Sequence, residues 1–227
     1  MTSQTVGQFG DGPLSRGAAR IHTLLVVELL LLAAALPALV GLVGLGTDPS
    51  NLPLLVVCLT PVGPAVCAAL YALHHQRLDL TDLHPARLFL RGYRVNVVAA
   101  LRVWVPTLLW VAVVAVNLDH LDAAAVPRWW VVPSVLVGVA VTVVGVTALT
   151  VTALFDFRTR DVLRLALYFL VRTPSVPVGT LLLLAAGAGV VAVFSEAVLA
   201  LFGVLFVWAQ LRIGEPMTTR LAREFVA

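Results

Sequence analysis

The sequence predicts an all-α fold: a polytopic membrane helix bundle of about six transmembrane helices. Both termini are expected to be cytoplasmic, and two amphipathic helices are expected in the cytoplasmic loops. Three observations predict this. Of 227 residues, 60% are hydrophobic and only 12% charged, against about half and about a quarter in a soluble domain. The apolar residues gather into six runs, and the arginines concentrate in alternate connections between them.

Residues 1–20 are polar and contain several Gly and Ser, and read as a flexible cytosolic tail. The transmembrane domain, 21–213, holds apolar stretches at about 22–46, 52–73, 97–117, 130–154, 178–194 and 197–213. A span takes roughly 20 residues, with about 17 as the lower limit. The first four stretches clear this easily. The last two are marginal and joined only by Ser195-Glu196, so a shallow hairpin is the alternative to two full crossings; it also leaves the C-terminus on the same side. Residues 214–227 read as a cytosolic C-terminal tail. The first stretch has an apolar core much longer than the roughly 7–15 residues of a signal peptide, so it is expected to be retained as a helix.

Arg16 and Arg20 precede the first run, and no cation lies at 47–51. Arg77, Arg87, Arg91 and Arg94 fill the second connection, with Arg128 alone in the third. Arg158, Arg160, Arg164 and Arg172 fill the fourth, the Ser195-Glu196 turn has none, and Arg212, Arg220 and Arg223 close the chain. Short positive connections stay cytoplasmic, which gives six spans with both termini inside. A pI of 9.4 therefore reflects membrane topology, and no nucleic-acid partner is expected. The bilayer itself is the first expected partner. There is no lysine, which excludes Schiff-base, phosphate-loop and serine–lysine chemistry. Cys58 and Cys67 face opposite sides of one helical run and read as small buried residues.

In the fourth connection Asp161, Arg164, Tyr168 and Arg172 recur every three or four residues, with Leu163, Leu167, Leu170 and Val171 on other faces. This is the pattern of an amphipathic helix at headgroup level, its arginines reaching lipid phosphates. "LDLTDLHPARLFL", Leu78–Leu90, aligns without gaps to "FDFRTRDVLRLAL", Phe155–Leu167, pairing Asp79 with Asp156, Arg87 with Arg164, Leu88 with Leu165 and Leu90 with Leu167. A helix-pair duplication accounts for this, and so do two interfacial helices under the same physics. Arg87, Arg91, Arg94, Arg158, Arg160, Arg164 and Arg172 are thus the candidate docking or lipid-phosphate contacts.

Inside the apolar runs, Glu28 and Arg102 are the clearest ionisable residues. Charges at depth pair with one another or mark a pathway, so a Glu28–Arg102 ion pair is a candidate; independent snorkelling to headgroups is the alternative. "TPVGPAV", Thr60–Val66, places Pro61, Gly63 and Pro64 near the middle of the second span, where each proline removes a backbone donor and kinks the helix. Freed carbonyls at that depth build binding sites in many transporters, although neighbouring helices also satisfy them. Ser134, Gly138 and Thr142 recur every four residues on the fourth span, which suits close packing within the bundle. His74, His75, Asp79, Asp82 and His84 crowd the second connection but match no metal signature; Asp82 or Thr81 suits an N-cap for a helix opening near Pro85. No nucleophile elbow, HExxH, Walker or dinucleotide motif appears. No enzyme activity, cofactor or metal is expected.

Several segments in order resemble the YesL-like family of bacterial membrane proteins, a family of unknown biochemical function. "FGDGPLSR" is similar to its N-terminal stretch and "LLVVELLLLAAALP" to its first helix, which ends in proline. "GPAVCAALYAL" is similar to its second helix, and "FDFRTRDVLRLALYFLVRTP" to its second inside loop, an aromatic-Asp pair before a helix with a basic-x-Pro close. One departure is Glu28, where the family often has Asn. The resemblance implies a multi-pass protein of the bacterial cytoplasmic (inner) membrane. Because family members are often encoded beside carbohydrate ABC transporters, it also implies a non-enzymatic accessory of the permease subunits in sugar uptake. The alternative is a small secondary transporter with its substrate path near the kinked second span.

Overall fold

The structure, a computed structural model, describes residues 13–45, 49–76, 84–121, 123 and 126–225. Among them there is no strand. In chain order the helices are α1 (Pro13–Gly44), α2 (Leu52–Leu59), α3 (Val62–His75), α4 (Pro85–Asp119), α5 (Val131–Leu154), α6 (Thr159–Arg172), α7 (Ser175–Val193), α8 (Glu196–Leu201) and α9 (Gly203–Phe225). Single 3-10 turns, Pro49–Asn51 and Arg128–Trp130, lead into α2 and α5.

Five of the helical segments are long and apolar enough to cross a membrane: Arg16–Gly44, Leu52–His75, Pro85–Asp119, Arg128–Leu154 and Ser175–Val193. Their outward faces carry Leu25, Leu29, Val40, Val57, Leu136 and Leu182, all exposed, as lipid contact requires. In lipid, burying apolar area between helices gains little, and association depends on close packing and interhelical hydrogen bonds. The glycines show where the helices come closest. A Cβ on Gly92 would lie 2.8 Å from Tyr71, one on Gly145 2.6 Å from Thr107, and one on Gly179 2.8 Å from Ile213. These join α3 to α4, α4 to α5 and α7 to α9. Gly138 of the small-residue stripe also faces inward, its Cβ position 3.3 Å from Val114 of α4, so it packs within the bundle.

Three features differ from the sequence expectation. The first interfacial helix is not separate. It is the N-terminal part of α4, which runs unbroken from Pro85 to Asp119. Pro85 supplies the start, since a first-turn proline gives up no helical hydrogen bond, and His84 is the N-cap residue. Asp79, Thr81 and Asp82 lie outside the described residues. Second, both chain ends are more helical than the tails expected at 1–20 and 214–227: α1 already starts at Pro13 and α9 continues to Phe225. Third, the last apolar run is two helices, α8 and α9, which part at Phe202. Neither is among the five segments above.

The second loop segment does form a separate helix, α6. Arg158 is extended before it, Asp161 lies in its first turn and Arg172 in its last, each sign suited to the helix dipole. It stops at Thr173 because Pro174 cannot follow in a continuing helix without losing a backbone bond and clashing with the turn before. The two arginine-bearing stretches are nevertheless alike in detail. From His84 to Asn96 and from Asp161 to Thr173, each residue has the same burial as its counterpart in the ungapped alignment: Pro85 and Val162, Phe89 and Ala166, Gly92 and Phe169, and Asn96 and Thr173 are all buried. The equivalent of Pro174 is Val97, which lets α4 run on where α6 must end.

Candidate functional site

Arg87, Arg91 and Arg94 on α4 and Arg158, Arg160, Arg164 and Arg172 on or beside α6 are all exposed. Among the described residues none of these side chains has an ion-pair or hydrogen-bond partner, unlike Arg212, which pairs with Glu215. The backbones beneath them are held firmly. Phe89 is 3% exposed, and Val162, Ala166 and Phe169 are 1% or less, all in one apolar cluster with the bundle core. Beside the arginines stand exposed Leu90, Leu163, Leu167, Tyr168 and Val171. The result is two anchored helices that show cations and apolar side chains together.

Glu28 and Arg102 are not brought together. Arg102 is exposed on α4, whereas Glu28, halfway along α1, is buried and turned toward the break between α8 and α9. The Val204 N–H donates to Glu28 Oε2 at 2.6 Å, and the Gly203 backbone lies against the same carboxylate. The first N–H groups of a helix have no partner within it, and inside a membrane water does not supply one. The carboxylate fills that need and complements the positive end of the α9 dipole. The sequence expectation failed because the competing partner is a backbone that exists only once the last run breaks. Glu28 Oε1 is buried with no hydrogen-bond partner.

The second-span break lies where Pro61, Gly63 and Pro64 place it, between α2 and α3. It is filled. The Trp104 indole N–H donates to the Leu59 carbonyl at 3.0 Å, taking one of the carbonyls at the break, and Thr60 Oγ1 donates to the Val56 carbonyl at 2.9 Å. Gly63 is what lets the indole in, because any Cβ there would lie inside van der Waals contact with the Trp104 ring.

A third polar feature has no counterpart in the sequence reading. Gln210 on α9 is 4% exposed and bridges α5 and α7. Its Nε2 donates to Thr150 Oγ1 at 3.4 Å and to Thr180 Oγ1 at 3.2 Å, and the Thr180 hydroxyl donates to Gln210 Oε1 at 3.2 Å. The signal was there: Gln210 is the one amide within the last apolar run.

His74 and His75 close α3, His75 stacking on Tyr71 at 4.1 Å. Among the described residues no three His, Cys, Asp or Glu side chains converge as a metal site would need. Cys67 is buried on α3, its thiol donating to the Leu149 carbonyl at 3.4 Å.

Fold and surface together define a helical multi-pass membrane protein. No protein-family model matches the sequence, and no curated protein or solved structure matches it either.

Proposed function

We propose that the chain is a non-enzymatic accessory of a transporter, in the bacterial cytoplasmic membrane, with both termini inside. It docks on the permease subunits of a carbohydrate ABC transporter through the N-terminal turns of α4 and through α6. The observation that carries this reading is the set of arginines on two anchored helices that are exposed and, among the described residues, unpartnered. Arginine is suited to interface ion pairs and to stacking, and rigid presentation lowers the entropy lost on docking. The carbohydrate assignment comes from the YesL-like resemblance and the transporter genes that accompany that family. The arginine distribution supports six crossings, with α9 as the last.

The test is photo-crosslinking in native membranes with a crosslinker at Leu90 or Leu167. Conjugates with a permease subunit are expected from both positions, and none from Leu136 on the outward face of α5. Equal yields from all three positions refute the reading.

A second reading, a small secondary carrier, is favoured by one observation: a buried carboxylate, Glu28, beside a break between helices, since ionisable groups at membrane depth mark ion and solute pathways. The filled break in the second span, with Trp104 bonded to Leu59, counts against a path at Pro61–Pro64, and this reading is taken to Glu28. Solute flux in vesicles containing this chain alone distinguishes the two readings.

A further inference from the structure

The N-terminal part of α1, the C-terminal end of α3 and the middle of α9 line an open cleft of about 520 Å³, a size common for ligand sites. We propose that this cleft binds a phosphate-bearing amphiphile, an anionic phospholipid whose headgroup phosphate lies between Arg20 and Arg212. The inference is independent of the accessory reading.

Three observations carry it. The cleft sits at headgroup depth, because its charged lining marks the ends of apolar stretches: Arg20 just before the first, and Arg212 and Glu215 at the end of the last. Its two cations differ in availability. Arg20 is exposed and, among the described residues, has no ion-pair or hydrogen-bond partner. Arg212 is held in place by Glu215 at 2.6 Å and by the Trp208 ring, 5.5 Å from its guanidinium. Finally, the lining is two-sided. Leu24, Leu73 and Leu211 form an apolar wall, and on the neighbouring helix faces Ile21, Leu25 and Leu205 are exposed where acyl chains would lie. Guanidinium groups match phosphate oxygens with paired, charge-assisted hydrogen bonds, and basic pockets between membrane helices suit anionic headgroups. A free phosphate shares the headgroup chemistry but leaves the apolar wall unused.

The test is native mass spectrometry of the full chain in detergent, with dihexanoyl phosphatidylglycerol, dihexanoyl phosphatidylcholine and glycerol phosphate as probes. Retention of phosphatidylglycerol well above the other two is expected. Arg20→Gln and Arg212→Gln should each lower its occupancy by about tenfold, the order of one charge-assisted hydrogen bond. Glu215→Gln should raise it, since it removes the carboxylate that competes with the phosphate for Arg212. That variant keeps the test sound if the arginine variants fold poorly, because a gain of binding does not arise from misfolding. Equal retention of both lipids, or no gain in Glu215→Gln, overturns the proposal. Equal retention of glycerol phosphate and phosphatidylglycerol overturns the lipid source and leaves a soluble phosphate compound as ligand.

Discussion

Glu28→Ala should destabilise the protein substantially, whereas Arg102→Gln should not. The alanine variant strips the acceptor from the Val204 N–H, now bonded at 2.6 Å, and from the Gly203 backbone beside it. Loss of a helix cap costs about 0.5–2 kcal/mol in water, and a buried N–H left unmade costs about 1–3 kcal/mol. Glu28 is 7% exposed, so water does not restore the bond; both figures price the same lost cap, and a loss of about 1–3 kcal/mol follows. For a chain of this size that corresponds to a fall in Tm of roughly 2–12 °C. Glu28→Gln keeps an oxygen acceptor and should lose less than half as much. Arg102 is exposed and, among the described residues, has no ion-pair or hydrogen-bond partner, so its replacement should stay within about 0.5 kcal/mol. The assay is thermal unfolding in detergent followed by tryptophan fluorescence, since the chain has five tryptophans. An unchanged Tm for Glu28→Ala refutes the cap. A fall in Arg102→Gln equal to that of Glu28→Ala restores the ion pair in its place.

Other substitutions probe the rest of the bundle by the same assay. Gly63→Ala should cost about 2–4 kcal/mol, by displacing Trp104 and breaking its bond to Leu59; added to Trp104→Ala it should cost little more, and full additivity counts against the packing described. Gln210→Leu removes the bridge between Thr150 and Thr180. It should cost about 1 kcal/mol, the range of interhelical hydrogen bonds in membranes, and a stability gain contradicts the bridge. In detergent, a maleimide should modify Cys58, half-buried at α2, well before Cys67, which is 0% exposed; prior labelling of Cys67 contradicts the α3 packing.

Much of the fold is legible in the sequence because lipid imposes one rule on every span. Leu25, Val57 and Leu136 must be apolar to face lipid, whatever their contacts, and the runs they belong to show as helices. The amphipathic α6 was readable for the same reason, with Pro174 marking its end. What escaped depended on non-local partners. The continuity of α4 turns on Val97 standing where Pro174 stands in the related stretch, a difference of one residue. The partner of Glu28 is a backbone N–H, which has no signature in the sequence, and the one charge at similar depth, Arg102, drew the pairing instead. Trp104 reads as one more apolar residue until Gly63 admits it to the break between α2 and α3. The arginine surface was visible as a list of cations. That they lie on anchored helix faces depends on Phe89, Val162, Ala166 and Phe169 finding the core.

The most direct test of the docking account is affinity purification from native membranes in a lipid-preserving polymer, with stoichiometry by mass spectrometry. Wild type is compared with a variant carrying Arg87→Gln, Arg91→Gln, Arg164→Gln and Arg172→Gln. The account predicts a near-equimolar ABC permease with the wild type and its loss from a variant that still folds. A wild-type protein that purifies without a permease, or a variant that retains one in full, contradicts it.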